Sequence, residues 1–252
     1  MNHYWRISFA LFTCLAFLSG TIKAQNADYG WEAGIGVGTT IYQGDLAPSA
    51  FGNFKRLKPA LSIYFGKTLS PYVSVGINYS AGKVAASDAD YPSPKWRKDR
   101  NLNFSSPINE LTAKVVFRPF GYDGLTPNLH FYPYIFAGAG AAFVNIRRDW
   151  SGISPTLLEN EKTAQDLAAD TMYQLPTVIP AIPVGAGVAY LLSPSVSLFG
   201  ELTYHVAVTD YLDGFSNLGN SDKKDNYYMM AVGVHFNFSM RKSGFTKCPS
   251  VK

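Results

Sequence analysis

The chain has 252 residues, enough for one domain of ordinary size, with 47% hydrophobic and 16% charged residues and a mean hydropathy of −0.02. That balance excludes a bundle of membrane helices, which is far more apolar, and a disordered chain, which is far more polar. The aromatic share of 15%, with 16 Tyr, 17 Phe and 22 Gly, fits β structure better than helices.

The first residues read as an export signal. Arg6 supplies a positive start, residues 7–18 form an apolar run, and Ile22-Lys23-Ala24 offers a small residue ahead of Gln25. Residues 1–24 are therefore expected to be removed. A lipoprotein signal using Cys14 is the rival reading, and the bulky Leu11-Phe12-Thr13 before it makes a poor lipobox. Without Arg6 and Lys23 the chain keeps 20 basic and 18 acidic residues. A near-balanced charge argues against nucleic acid as a partner. Beyond the signal no apolar run approaches a membrane helix, so an exported chain of this kind is either soluble or a barrel.

Eight segments then alternate with period 2, most of them close to the ten residues a tilted strand needs to cross a bilayer. The first places Trp31, Ala33, Ile35, Val37, Thr39 and Ile41 on one face and Glu32, Gly34, Gly36, Gly38 and Thr40 on the other. The others are expected at residues 59–68, 72–82, 108–118, 132–145, 181–191, 196–209 and 227–238. Ser-Pro turns link the second to the third and the sixth to the seventh, residues 119–129 follow the fourth, and long polar loops follow the first, third, fifth and seventh. Short turns at one end and long loops at the other mark outer-membrane barrels. The expected fold is all-β: an eight-stranded antiparallel transmembrane β-barrel over residues 25–238, with short periplasmic turns, long extracellular loops and a periplasmic tail at residues 239–252.

Eight strands enclose room for side chains and no more, so a conducting pore is not expected. Glu110, Lys114, Arg118, Glu201 and His205 are expected to point inward as paired polar filling. Tyr64, Tyr79, Tyr190, Tyr204, Tyr228 and Phe238 are candidates for interfacial aromatic belts. A soluble barrel would turn its apolar face inward, and the other face here, mostly Gly, Ser, Ala and Asn, would make a poor solvent face. In the longest loop, residues 147–178, Ser154 and Pro155 can start a helix through Leu157, Leu158, Ala164, Leu167 and Ala168, read as a solvated loop helix.

Candidate chemistry is sparse. His205 and His235 are expected inside on neighbouring strands, as packing rather than as a hydrolase centre, which would need a nucleophile and an orienting acid. Asp210, Asp213, Asp222 and Asp225 lack the ligand spacing of a calcium loop and read as a loop start. Gly34-Ile35-Gly36-Val37-Gly38 lies inside a strand and is no nucleotide fingerprint. The basic cluster Lys95-Trp96-Arg97-Lys98-Asp99-Arg100 reads as a solvated loop, with lipopolysaccharide contact as the alternative. No metal, cofactor or catalytic residue is expected. Cys248, alone after the signal, sits in a basic tail with Arg241, Lys242 and Lys247. An unpaired Cys in an oxidising compartment points to an intermolecular disulfide or a free thiol.

Tyr42-Gln43-Gly44-Asp45-Leu46, Arg100-Asn101-Leu102-Asn103-Phe104, Ser106-Pro107-Ile108-Asn109-Glu110-Leu111, Pro133-Tyr134-Ile135-Phe136-Ala137-Gly138 and Thr209-Asp210-Tyr211-Leu212-Asp213 together form a set that resembles the PorG-like outer-membrane β-barrel family of Bacteroidota. That resemblance covers most of the chain. It implies a non-enzymatic role in type IX protein secretion and gliding motility, tying a periplasmic ring of PorK-like and PorN-like components to the outer membrane. Cys248, Lys247, Arg241 and Lys242 then become candidate contacts for that partner, the Cys by a disulfide. Asp45, Glu110 and Asp213 are the polar motif positions most worth testing. The alternatives are a free-standing structural or adhesive barrel acting through its loops and, third, an outer-membrane lipid hydrolase.

Overall fold

The computed structural model describes residues 30–49, 51–91, 93–122, 130–207, 209, 211–219 and 225–238. The expected signal segment and the tail with Arg241, Lys242, Lys247 and Cys248 lie outside them, as do Asp210 and Asp222.

Eight long strands form the wall: β1 (Trp31–Gln43), β2 (Lys58–Thr68), β3 (Val73–Ser87), β4 (Asn103–Phe117), β5 (Phe131–Val144), β7 (Val178–Ser193), β8 (Val196–Ala207) and β9 (Asn226–Phe238). Every neighbouring pair is antiparallel, and β1 pairs with both β2 and β9 while β3 pairs with β4, so the sheet closes on itself. Closure leaves no unpaired edge, which is what a sheet needs to cross a bilayer. A short strand, β6 (Arg147–Asp149), adds to β4 beyond the barrel. Helices α1 (Lys95–Arg100), α2 (Pro155–Leu158) and α3 (Glu161–Met172) lie in the long connections. No helix among the described residues is long and apolar enough to cross a membrane.

The alternation turns apolar side chains outward. Val37, Ile77 and Val232 are 60%, 58% and 63% exposed, and Ile35, Ile63, Leu111, Val115, Leu198 and Leu202 are also exposed. A continuous apolar exterior of this kind belongs in lipid, not in water. The soluble-barrel alternative fails on this point. The band is framed by rings. At the short-turn end, Trp31 stacks on Phe65 at 5.2 Å, and Phe117, Phe131, Tyr190 and Phe238 stand exposed. Toward the long loops are Tyr79, Phe143, and Tyr204 against Tyr228 at 4.8 Å. From Trp31 to Ile41 along a strand tilted about 45° is roughly 23 Å, close to the band of about 25 Å in outer-membrane barrels. Tyr64 is a correction. It is 6% exposed and faces the interior, since Ile63 and Phe65 occupy the outward positions beside it.

The third and fourth strands run further than the alternation predicts. β3 continues to Ser87 and β4 begins at Asn103, forming a hairpin that rises above the lipid band. Val84, Ala85, Ala86 and Ser87 are all buried. Loops cover both faces there, so the period-2 signal disappears.

Val37 tests the lipid face. Val37→Arg near mid-band is expected to destabilise the barrel by about 2–4 kcal/mol, read from urea unfolding in lipid vesicles. A change within about 0.5 kcal/mol, as on a water-exposed surface, would sink the membrane assignment.

Candidate functional site: an ion-paired interior beneath a folded loop cap

The inward positions of β4 carry a charged spine. Arg118 Nη2 donates to Glu32 Oε2 of β1 at 2.7 Å and Arg118 Nη1 to Ser74 Oγ at 2.5 Å. Lys114 Nζ reaches both Glu201 oxygens of β8 at 2.9 and 3.0 Å and sits 3.6 Å from the centre of the Phe136 ring. His205 Nδ1 of β8 lies 2.9 Å from Glu110 Oε2, which also accepts from Tyr227 at 2.9 Å, and the Tyr227 and His205 rings stack at 4.2 Å. Each charge is buried against an opposite or hydrogen-bonding partner, which is how a low-dielectric interior tolerates it. Large rings fill the remaining space. A Cβ on Gly187 would collide with the Tyr134 ring, so that position has room only for hydrogen. Interior cavities beside Thr40 and Tyr227, and beside Glu32 and Lys114, are about 10 Å³ each. The lumen is packed rather than open.

The two interior histidines are not neighbours. His205 pairs with Tyr227, whereas His235 pairs with Ser197 eight residues along each strand, roughly 26 Å away. His235 instead stacks on Phe199 at 4.2 Å, near the short-turn end. His205 Nε2 has no hydrogen-bond partner among the described residues.

Above the band, the four long connections fold together around a core of their own. Tyr42, Leu46, Ala86, Leu102, Phe104, Leu212 and Phe215 are central to it, with Leu157 and Leu167 packed alongside. The expected single helix is two helices, largely exposed, that set Leu157 and Leu167 against this core. Pro155 takes the first position of α2, while the Ser154 side chain makes no capping bond. Asn160 caps α3 by accepting from Lys162 and Thr163.

Four buried carboxylates in three centres tie the cap. Asp88, fully buried, accepts from Arg100 Nε at 2.7 Å and Nη2 at 2.8 Å, from Arg97 at 3.3 Å, and from the Leu102 backbone at 3.2 Å. Arg97 also holds the carbonyls of Leu46 and Ala47. The Lys95–Arg100 cluster is thus a helix that buries two of its cations, because Asp88 offers a paired site where solvent would otherwise be needed. Asp170 at the end of α3 accepts from the backbone of Ser216, Asn217 and Leu218. Arg148 of β6 holds the carbonyl of Gly214, whose φ of +86° suits glycine.

The third carboxylate centre joins Tyr42, Asp213 and Asp225. The Tyr42 hydroxyl lies 2.7 Å from Asp213 Oδ2 and 2.5 Å from Asp225 Oδ1, and the Asp213 N–H donates to Asp225 Oδ2 at 3.1 Å. A phenol has one proton and cannot bridge two bare carboxylates. A second proton on one of the acids completes the arrangement. Burial pushes Asp213 up to about 7, with the hydrogen bonds from Phe215 and Tyr42 opposing, Asp45 adding its charge and Arg100 offsetting it. Burial and then the charge of Asp213 raise Asp225. Asp213 and Asp225 therefore form a buried tether rather than an exposed loop start. Among the described residues, no group of three or more His, Cys, Asp or Glu is arranged to hold a metal ion.

Residues 6–238 match the family described as Domain of unknown function (DUF6089). This chain belongs to that family. No curated protein matches it in sequence. Among solved structures it is similar to Neisserial surface protein A, at 13% identity over 83% of this chain and 97% of that one, with a TM-score of 0.45. It is similar to the N-terminal β-barrel domain of Pseudomonas aeruginosa OprF, at 13% over 83% and 98% with a TM-score of 0.40. A major outer membrane protein from Thermus thermophilus gives 14% over 82% and 99% with a TM-score of 0.41. All three figures are low, and the strand count and closure stand on this chain's own pairing.

Two measurements probe the site. Lys114→Met strands Glu201 inside the barrel and is expected to cost about 3–5 kcal/mol in vesicle unfolding. The double variant with Glu201→Gln should recover most of that loss; an additive double variant would mean the pair is not coupled. The second concerns pH. A carboxyl whose folded value lies above its ordinary value of about 3.9 keeps a proton that the unfolded chain has released. The stabilisation is full below about pH 4 and is lost as pH rises through 7. Intrinsic-rate-corrected hydrogen exchange of residues 211–219 should show more protection at pH 5 than at pH 8. Asp213→Asn, whose amide still donates to Tyr42, should flatten that difference, and an unchanged pH dependence would count against the shared proton.

Proposed function

We propose that this protein is a non-enzymatic outer-membrane barrel that anchors a periplasmic ring of the type IX secretion and gliding machinery. In this reading the short turns and both termini are periplasmic, and the long-loop cap faces outward. The observation that carries it is the sealed interior. A barrel whose lumen is filled by ion pairs and rings acts through its surfaces. The resemblance to PorG-like barrels supplies the machine, and PorK-like and PorN-like ring components are the partners it implies. Cys248, with Lys247, Arg241 and Lys242, provides a tail able to form a disulfide to such a ring.

A specific observation favours a second reading. The quoted motifs around Tyr42, Asp45, Arg100, Leu102, Leu212 and Asp213 meet in the cap, so a free-standing barrel would present that cap as its adhesive or structural surface. A lipid hydrolase has less support, since His205 is 3% exposed beneath the cap.

The test is a pull-down of tagged protein from detergent-solubilised outer membrane without reductant, for wild type and Cys248→Ser. The anchor reading expects a lipoprotein ring component in a band that reductant splits and the variant lacks. Wild type recovered alone would move attention to the cap.

A further inference from the structure

The aromatic ring on the long-loop side has a gap. β3, β5, β8 and β9 contribute Tyr79, Phe143, Tyr204 and Tyr228; β4 and β7 set single non-aromatic positions such as Leu111 and Val184 beside them, whereas β1 and β2 are adjacent and present only Thr39, Ile41 and Pro59. Ile41 is only 3% exposed although its alternation turns it outward. The β1–β2 connection covers it: a Cβ on Gly52 would lie 2.9 Å from Ile41 Cγ2, and the Asn53 N–H donates to the Tyr42 carbonyl at 2.8 Å. The rung Ile41–Tyr228 sets the height of this contact at the ring itself.

At that height the connection turns apolar side chains away from the protein. Phe51, Phe54 and Leu57 are 77%, 56% and 47% exposed. They stand where the β1–β2 side lacks its aromatic residues. Basic groups surround them. Arg56 is paired to Asp90, Lys55 Nζ donates to the Asp90 carbonyl at 2.6 Å and lies 4.3 Å from the Tyr91 ring centre. Lys83 is exposed on the outward face of β3, two residues above the last β2 rung at Ala81. Three cations against one carboxylate leave the patch positive.

We propose that residues 51–57 form a lipid-inserted wedge in the leaflet at the long-loop end. Phe51, Phe54 and Leu57 occupy the boundary between headgroups and acyl chains, and Lys55, Arg56 and Lys83 face anionic, phosphate-bearing headgroups. Two arguments select lipid as the occupant. The patch is continuous with the lipid-facing band, and its composition, exposed aromatic residues beside basic ones, is that of interfacial anchors. The segment is held to the rim through Asn53, itself fully buried and accepting from Tyr91 at 3.2 Å, so the wedge also fixes the height of the cap over the bilayer.

Site-directed spin labelling tests this on the full chain in a Cys14→Ser, Cys248→Ser background, in vesicles of phosphatidylcholine with or without phosphatidylglycerol. Labels go at Phe51→Cys and Phe54→Cys, with Val37→Cys as the lipid reference and Met172→Cys, 87% exposed on α3, as the aqueous reference. The wedge expects a water-soluble nickel chelate to meet the Phe54 label several-fold less often than the Met172 label, while oxygen reaches it nearly as it reaches Val37. Adding Lys83→Glu should shift the label toward water in the phosphatidylglycerol vesicles only. Nickel access equal to that at Met172 overturns the proposal. So does shielding from both oxygen and nickel, which would mean a protein contact. No response to Lys83→Glu overturns the electrostatic part.

Discussion

Closure of the sheet is the constraint from which the rest follows. In hydrocarbon every backbone N–H and C=O needs a partner, and the β1–β9 rungs supply the pairs that make a ring out of a ribbon. Once the wall faces lipid, half of each strand's side chains are turned into a narrow lumen. β4 and the residue that follows it answer this with Glu110, Lys114 and Arg118, four residues apart on one inward face. Each is tied across the barrel, to His205, Glu201 and Glu32. These bridges join strands that are not neighbours in the sheet. They lock the cross-section in a way that backbone pairing around the ring does not.

The same logic separates the two ends. Toward the short turns a cluster of Tyr64, Val116, Tyr132, Tyr134, Phe136 and Phe199 packs around the Arg118 pair. Toward the long loops lies the larger core around Tyr42, Phe104 and Phe215. The Lys114–Glu201 and Glu110–His205 pairs stand between them. Buried polar groups of this kind are costly to rearrange, because any intermediate geometry strands a charge. The column is therefore a stiff spacer, and the loops above it fold as a unit against a fixed base.

What could be read in the sequence reflects where physics acts locally. The eight strands are legible because lipid outside and a packed lumen inside impose a strict period of two, and Glu110, Lys114, Arg118, Glu201 and His205 fall on the inward phase. Tyr64 departs from its expected place although the signal is present: Leu61, Ile63 and Phe65 already define the outward phase of its strand. The hairpin of β3 and β4 above the membrane is lost to the pattern because Val84 to Ser87 are covered on both sides. Of the cap, only the helical segment after Ser154 is legible, and the packing is not. Asp88 gathers Arg97 and Arg100 in a segment that reads as a solvated charge run, and Tyr42 meets Asp213 and Asp225 across 171 and 183 residues of chain. No local pattern encodes such meetings.

The cap also changes what the motif set means. Tyr42, Asp45, Arg100, Leu102, Leu212 and Asp213 are scattered over three connections, yet they converge on one core and one network of buried charge. Residue types placed for this reason specify a loop architecture, and a buried tyrosine between two acids has no chemistry to offer a substrate that cannot reach it. Motif residues placed in this way argue for a structural platform rather than a reaction centre. Which partners such a platform meets is then decided by side chains on its outer surface and on the opposite end of the barrel, where sequence is free to vary without loosening the fold beneath.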